Sequence, residues 1–211
     1  MLVRPGVFVP RRRTLLLARL VAAALAAAAA ARGGASLLDL GCGTGAIAAL
    51  AAHRVPGLRI AAVDADPAAV ANARANLPGA LVLLGADLGA LPQGLRFDAV
   101  AANLPYVPTA ELAHLPRDAR EHEPPLALDG GPDGLEPLRA LAPQVAARLA
   151  PGGLVGTEVA PPQVAEAIRI LEAAGLQGAR VHEDDEIGAT AVTARRPCAD
   201  RASRAGHRGP R

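Results

Sequence analysis

The sequence predicts an α/β fold: a seven-stranded, mostly parallel sheet with helices on both faces and an antiparallel closing strand. Three observations predict it. Strand-like apolar runs alternate with helical stretches along most of the chain, which implies a parallel sheet covered on both sides. The last two strand-like runs, GARVHED and GATAVTAR, have no helix between them and read as a hairpin. Finally, 211 residues with 51% hydrophobic content suit one domain with a full core.

The elements follow in order. Residues 14–31 carry Leu17, Val21 and Leu25 at four-residue spacing, so these three share one helix face and Arg19 points away from it. The basic start and alanine-rich run also resemble a signal peptide or a membrane span. Arg19 and the weak anchoring power of alanine favour a helix packed on the sheet. SLLDL (36–40) reads as a strand and GAIAALAAHR (45–54) as a helix. RIAAVD (59–64) is a second strand. DPAAVANARANL (66–77) is a helix, with Asp66 as its cap and Pro67 in its first turn. ALVLLGAD (80–87) and FDAVAAN (97–103) are the third and fourth strands, and a Pro- and Gly-rich loop runs on to about residue 136. A helix over PLRALAPQVAARLA, a strand over GGLVGTEV and a helix over PQVAEAIRILEAAG precede the hairpin. Residues 1–35 form an N-terminal segment and helix, 36–195 the main domain, and 196–211 an arginine-rich tail that lacks apolar periodicity and reads as disordered.

Composition narrows the function. The chain contains no lysine and only 1% aromatic residues, and its richness in Ala, Gly, Pro and Arg suggests a bias toward GC-rich codons, so alanine runs carry little functional weight. The net charge of +2 hides a tail of +5: Arg195, Arg196, Arg201, Arg204, Arg208 and Arg211 stand against Asp200 there, leaving −3 on the remainder. A slightly acidic body argues against stable nucleic-acid binding. Cys42 and Cys198 have neither disulfide nor metal spacing, and the five histidines form no ligand cluster. A cytoplasmic protein with no metal and no membrane partner is expected, acting as a monomer.

In a doubly covered parallel sheet, ligands bind at the carboxyl ends of the strands. Three strand ends here are unusual. Gly41-Cys42-Gly43-Thr44-Gly45 follows the first strand, where glycines allow a tight turn and a close ligand approach; Gly41, Gly43 and Ala46 also satisfy a dinucleotide-type pattern. Asp64 closes the second strand about 20 residues on, where a carboxylate accepts ribose hydroxyls. Asp87-Leu88 ends the third, placed to meet an adenine ring and its amino group. At the fourth, Asn103-Leu104-Pro105-Tyr106 offers a side-chain carbonyl, a backbone carbonyl restrained by the following proline, and a flat ring. Two such acceptors hold both hydrogens of an NH2 group and aim its poorly nucleophilic nitrogen at an electrophile.

DLGCGTG (39–45), Asp64 and the post-strand NLPY together resemble a class I S-adenosylmethionine-dependent methyltransferase of the Asn-Pro-Pro-Tyr group. VFVPRRRT (7–14), FDAVAANLPYVP (97–108) and EHEPPLALDGGPDGL (121–135) resemble more specifically the HemK/PrmC-like protein-(glutamine-N5) methyltransferases, in their actinobacterial PrmC-related branch. The third stretch is the most specific, because nucleic-acid amine methyltransferases share the Asn-Pro-Pro-Tyr element but not this loop. The resemblance covers residues 7 to about 195. It implies a Rossmann-like fold, S-adenosyl-L-methionine as cofactor, and methylation of a glutamine side-chain amide in a protein, a peptide chain release factor being the expected partner. The implied cofactor residues are Asp39, Gly41, Cys42, Gly43, Thr44, Gly45, Asp64, Asp87, Leu88 and Asn103. The implied catalytic set is Asn103, Leu104, Pro105 and Tyr106.

Three departures from the family pattern stand out. Leu104 replaces the usual first proline, Leu15 stands where the family often has Glu, and the substrate-docking helical domain does not precede residue 7. The alternatives are an adenine-N6-type nucleic-acid methyltransferase, which would have to unstack its base; an NAD-binding oxidoreductase, which leaves NLPY idle; and a truncated cofactor-binding relic.

Overall fold

The computed structural model describes residues 1–198. Its order is α1 (Thr14–Arg32), β1 (Ser36–Leu40), α2 (Ala46–Arg54), β2 (Arg59–Asp64), α3 (Pro67–Asn76), β3 (Leu81–Leu84), β4 (Phe97–Ala102), α4 (Arg117–His122), α5 (Glu136–Arg148), β5 (Leu149–Glu158), α6 (Val164–Ala173), β6 (Gln177–Asp184) and β7 (Ala189–Arg195). The strands form one seven-stranded sheet in the order β3-β2-β1-β4-β5-β7-β6. All neighbours are parallel except β7, which runs against both β5 and β6. The expected fold is therefore present. One detail sharpens it: the antiparallel strand lies inside the sheet, and β6 takes the edge.

The chain winds from β1 outward through β2 to β3, then returns to the other side of β1 as β4 and continues to β5. The order reverses between β1 and β4, so the crevice of the sheet lies at their carboxyl ends. Two apolar clusters flank the sheet. One joins α1, α2 and α3 to its first face through residues such as Leu17, Val21, Leu25, Leu37 and Ala48. The other gathers Leu138, Leu141, Val145, Ile170 and Leu171 of α5 and α6 on the opposite face.

α1 is long and apolar enough by composition to cross a membrane. In the fold, however, Leu17, Val21 and Leu25 are fully buried against the sheet, as their spacing predicts. Arg19 is exposed and lies 3.8 Å from Asp184. Gly33 takes a left-handed conformation, and its N–H closes the helix on the Ala29 carbonyl.

The stretch expected to be one loop, 103–135, contains α4 and two short 3-10 turns. Proline directs this. Pro116 stands just before α4 and its carbonyl accepts from the Ala119 and Arg120 N–H groups, while Pro125 opens the turn at 125–127 with a backbone pre-set for a first helical turn. At the other end of the chain, Arg196 is not part of a free tail. Its N–H donates to Gly153, its carbonyl accepts from Gly152, and its guanidinium donates to the Leu149 carbonyl at 2.6 Å. Residues 199–211, which hold the rest of the expected disordered tail, lie outside the described residues.

Candidate active site

A cavity of about 260 Å³ opens at the carboxyl ends of β1, β2 and β4. Its first wall is the glycine loop. Gly41, Gly43 and Gly45 all have φ between 53° and 78°, the left-handed region that side chains avoid, so the loop turns tightly from β1 into α2. The N–H groups of Gly41 and Cys42 both donate to the Val63 carbonyl, which ties the loop to β2. No atom crowds the Cα of Gly43 on its side-chain side, so a ligand can lie against the backbone there. Burial pushes the Cys42 thiol well above its ordinary range, so it stays protonated and is no nucleophile.

Asp64 stands at the end of β2 and lines the cavity. One carboxylate oxygen accepts the Gly43 N–H at 2.8 Å and the other the Asp66 N–H at 2.9 Å. Burial raises its pKa, while those two N–H groups pull it back. Each oxygen keeps a lone pair for a ligand hydroxyl. Asp66 caps α3 by accepting from Ala68 N–H at 2.8 Å, as its place before Pro67 predicts.

Not every residue implied for the cofactor reaches this cavity. Gly41, Cys42, Gly43, Thr44, Asp64 and Asn103 line it; Asp39, Gly45, Asp87 and Leu88 do not. Asp39 is almost wholly buried under the loop, where one oxygen accepts the Ala48 N–H at 3.1 Å. Its pKa is pushed up to about 7, mainly by burial; the Ala48 bond opposes the rise and the nearby Asp64 charge adds to it. Gly45 faces Leu77 of the α3 end, which leaves no room for a side chain. Asp87 is exposed and caps the turn at 88–90 through the Gly89 N–H. Leu88 is 2% exposed and points into the core. β3 ends early, at Leu84, and Gly85 and Ala86 reach the cavity in place of Asp87 and Leu88.

The second wall comes from the end of β4. Asn103, Leu104, Pro105 and Tyr106 all line the cavity. Among the described residues the Asn103 carboxamide has no hydrogen-bond partner, and neither the N–H nor the carbonyl of Leu104 is bonded. The Asn103 backbone carbonyl sits against Gly41, so the two walls meet at the switch between β1 and β4.

Sequence reasoning missed the residues that hold this second wall. Glu158 at the end of β5 accepts the Tyr106 hydroxyl at 3.0 Å and Arg13 Nε at 3.0 Å on the same oxygen. The Arg13 guanidinium lies 5.5 Å from the Tyr106 ring centre. Gln163 donates to the Tyr106 carbonyl at 2.8 Å and to the Asp133 carbonyl at 3.1 Å. Glu123, buried, accepts Arg11 at 2.6 Å and so pins the N-terminal segment, whose Phe8, Pro10, Arg13 and Thr14 line the cavity. The 121–135 stretch closes around the same place. Val107 exchanges backbone bonds with Leu128 and Gly130, and a side chain at Gly134 would collide with the Tyr106 carbonyl and the Gln163 amide. A signal for Glu158 was available, because GTEVAPPQ ends a strand on a carboxylate just as AAVD does. The three resembling stretches, far apart in sequence, thus meet at one site.

Sheet order, glycine loop and strand-end carboxylate together fit the class I methyltransferase pattern that the sequence resembles. Residues 37–123 match the family model described as a methyltransferase domain. Among solved structures, the ribosomal protein L11 methylase of Lactobacillus delbrueckii subsp. bulgaricus superposes with a TM-score of 0.62 at 18% identity, over 92% of this chain and 84% of that one. The T. thermophilus 16S rRNA N2 G1207 methyltransferase, in complex with AdoMet and guanosine, gives 0.62 at 23% identity, over 91% of this chain and 46% of that one. These likenesses concern the fold. In sequence the chain is similar to release factor glutamine methyltransferases. It is 47% identical to that of Moorella thermoacetica over 129 residues, covering 59% of this chain and 45% of the relative. It is 40% identical to that of Bradyrhizobium diazoefficiens over 168 residues (76% and 56%) and 37% identical to that of Streptomyces coelicolor over 164 (76% and 58%). The chain spans about half the length of these relatives.

Proposed function

We propose that this domain transfers a methyl group from S-adenosyl-L-methionine to the side-chain amide nitrogen of a glutamine in a peptide chain release factor. The observation that carries this reading is the pair of unspent acceptors at the switch point: the Asn103 carboxamide oxygen and the Leu104 carbonyl, neither bonded within the described protein. They can receive the two N–H groups of one amide and leave its nitrogen aimed at the cofactor side. The relatives' shared name supports glutamine as the group so held.

The cavity suits the cofactor. Asp64 has lone pairs for ribose hydroxyls, and Gly43 leaves its backbone open. When bound, S-adenosyl-L-methionine supplies an electrophilic methyl on a sulfonium. The chain's part is to hold the amide in line with that methyl and to stabilise charge as it develops on the amide. The amide proton, made acidic by alkylation, leaves to water or to Asn103. An NAD reading fares worse, because the Gly41, Cys42, Gly43 and Gly45 N–H groups are already spent on protein acceptors, so those four have nothing to offer a pyrophosphate. Such a substrate also accords with a cytoplasmic, monomeric enzyme that binds no nucleic acid stably.

The test is to incubate the protein with methyl-labelled S-adenosylmethionine and either release factors or tRNA and DNA. Label on a glutamine of the release factor is expected. Label on nucleic acid alone would replace this reading with the amine-methylating one.

A further inference from the structure

Tyr106 is fixed from three sides, and two of its holders come from one short segment that begins at the end of β5. β5 pairs with β4 in parallel, with Thr157 opposite Ala102, so Glu158 emerges from the sheet level with Asn103. The Glu158 side chain is only 4% exposed and does not line the cavity. One of its oxygens takes both the Tyr106 hydroxyl and Arg13 Nε; the other is buried and has no partner among the described residues. A carboxylate with an unpaired buried oxygen is costly. Five residues on, Gln163 uses its amide N–H groups on the carbonyls of Tyr106 and Asp133, and its oxygen accepts the Ala160 N–H at 2.9 Å. The segment thus holds both the hydroxyl end and the backbone end of the same tyrosine.

We infer that Glu158 and Gln163 are positioning residues for the amide substrate: they act through Tyr106, setting the plane and height of its ring beside the Asn103 and Leu104 acceptors, and Arg13 completes the clamp across the ring face. The inference rests on the proposed reading of the cavity as a glutamine site. It explains why a nearly buried carboxylate is kept where a neutral residue would pack at lower cost. It also ties the N-terminal segment to the reaction, since Arg13 reaches the ring only through that segment.

The chain itself offers a readout that does not depend on activity. Tyr106 is its single tyrosine and there is no tryptophan, so tyrosine emission reports this residue alone. A phenol hydrogen-bonded to a carboxylate emits weakly. In the full chain, Glu158→Ala is expected to brighten that emission and to raise KM for a release factor about tenfold, the scale of one charge-assisted hydrogen bond. The Kd for S-adenosylmethionine, measured by calorimetry, stays within about twofold of the parent. Glu158→Gln, which can still accept from the hydroxyl, recovers most of the KM loss. Gln163→Ala raises KM in the same way, and Tyr106→Phe adds nothing further to Glu158→Ala.

Unchanged emission in Glu158→Ala would overturn the inference, whatever the activity. So would multiplicative losses in the double variant, or a fall in cofactor affinity that matches the rise in KM, which would mark a general packing role. If the parent methylates no glutamine, the proposed function fails, and the emission experiment still decides whether Glu158 holds Tyr106.

Discussion

The two walls of the cavity are built in different ways. The wall proposed to face the cofactor is local: the glycine loop and Asp64 come from residues 41–64, and they are joined by bonds such as Gly43 N–H to the Asp64 carboxylate. The wall proposed to face the substrate is assembled from afar. Tyr106 is held by Arg13, Gly134, Glu158 and Gln163, and the segment bearing Arg13 is pinned by Glu123. A wall of backbone and glycine binds what every member of a fold class needs. A wall of side chains from distant segments can be re-specified piece by piece without disturbing the first. The two should therefore fail separately.

The largest expected separation is at Asn103. Asn103→Ala removes one oriented acceptor and should lower turnover about 10²–10³-fold, while affinity for S-adenosylmethionine measured by calorimetry barely changes. Near-normal turnover would make Asn103 a turn residue and dissolve the distinction between the walls. The converse variant, Asp64→Ala, strikes the first wall. It removes the acceptor proposed for ribose hydroxyls and frees the Gly43 and Asp66 N–H groups, so cofactor affinity should fall by about 1–3 kcal/mol. KM for the protein substrate at saturating cofactor should move little.

The same contrast decides what was legible in the sequence. The glycine loop, Asp64 and the polar stop of β4 could be read because each is a short signal at a strand end, and the structure places Gly41, Asp64 and Asn103 on one cavity. Asp87 and Leu88 were misplaced because β3 stops at Leu84, and the extra residues turn one toward solvent and the other into the core. Glu158 and Gln163 were not read at all: their role depends on β5 lying beside β4, a pairing that no local pattern contains. Strand and helix existence was set by period and alternation. The turns inside 103–135 were not, because prolines that look like loop residues also open helical turns.

Asp39 tests the buried support of the first wall. Its folded pKa is raised from 3.8 to about 7, chiefly by burial. Between those values the folded protein keeps a proton that the unfolded chain has lost. Stability from this group is therefore full below about pH 4 and declines as pH rises toward 7. Asn cannot titrate, and its oxygen can still accept the Ala48 N–H. Asp39→Asn should thus gain on the parent as pH rises, by about 1 kcal/mol between pH 6 and pH 7 in denaturant unfolding. A constant difference across that interval would show that Asp39 ionises normally beneath the loop.

The smallest expected effect is at Leu104, where the second wall departs from the family pattern. Leu104 is 8% exposed and belongs to the core cluster on the α5–α6 face, so Leu104→Pro gives up some packing, about 1 kcal/mol. The ladder of β4 ends at Ala102 and the Leu104 N–H is unbonded among the described residues, so proline removes no hydrogen bond there. A stiffer unfolded chain returns about 0.4–1 kcal/mol. The Leu104 carbonyl, the feature the proposed mechanism uses, stays and is held in fewer orientations before substrate arrives. Net stability should therefore stay within about 1 kcal/mol of the parent, with glutamine methylation at least as fast. Thermal unfolding and turnover on one preparation decide it. A stable protein with activity abolished would mean that the leucine side chain itself touches the substrate. The second wall would then read its target through a side chain rather than a carbonyl, and the reacting group would not be the glutamine amide.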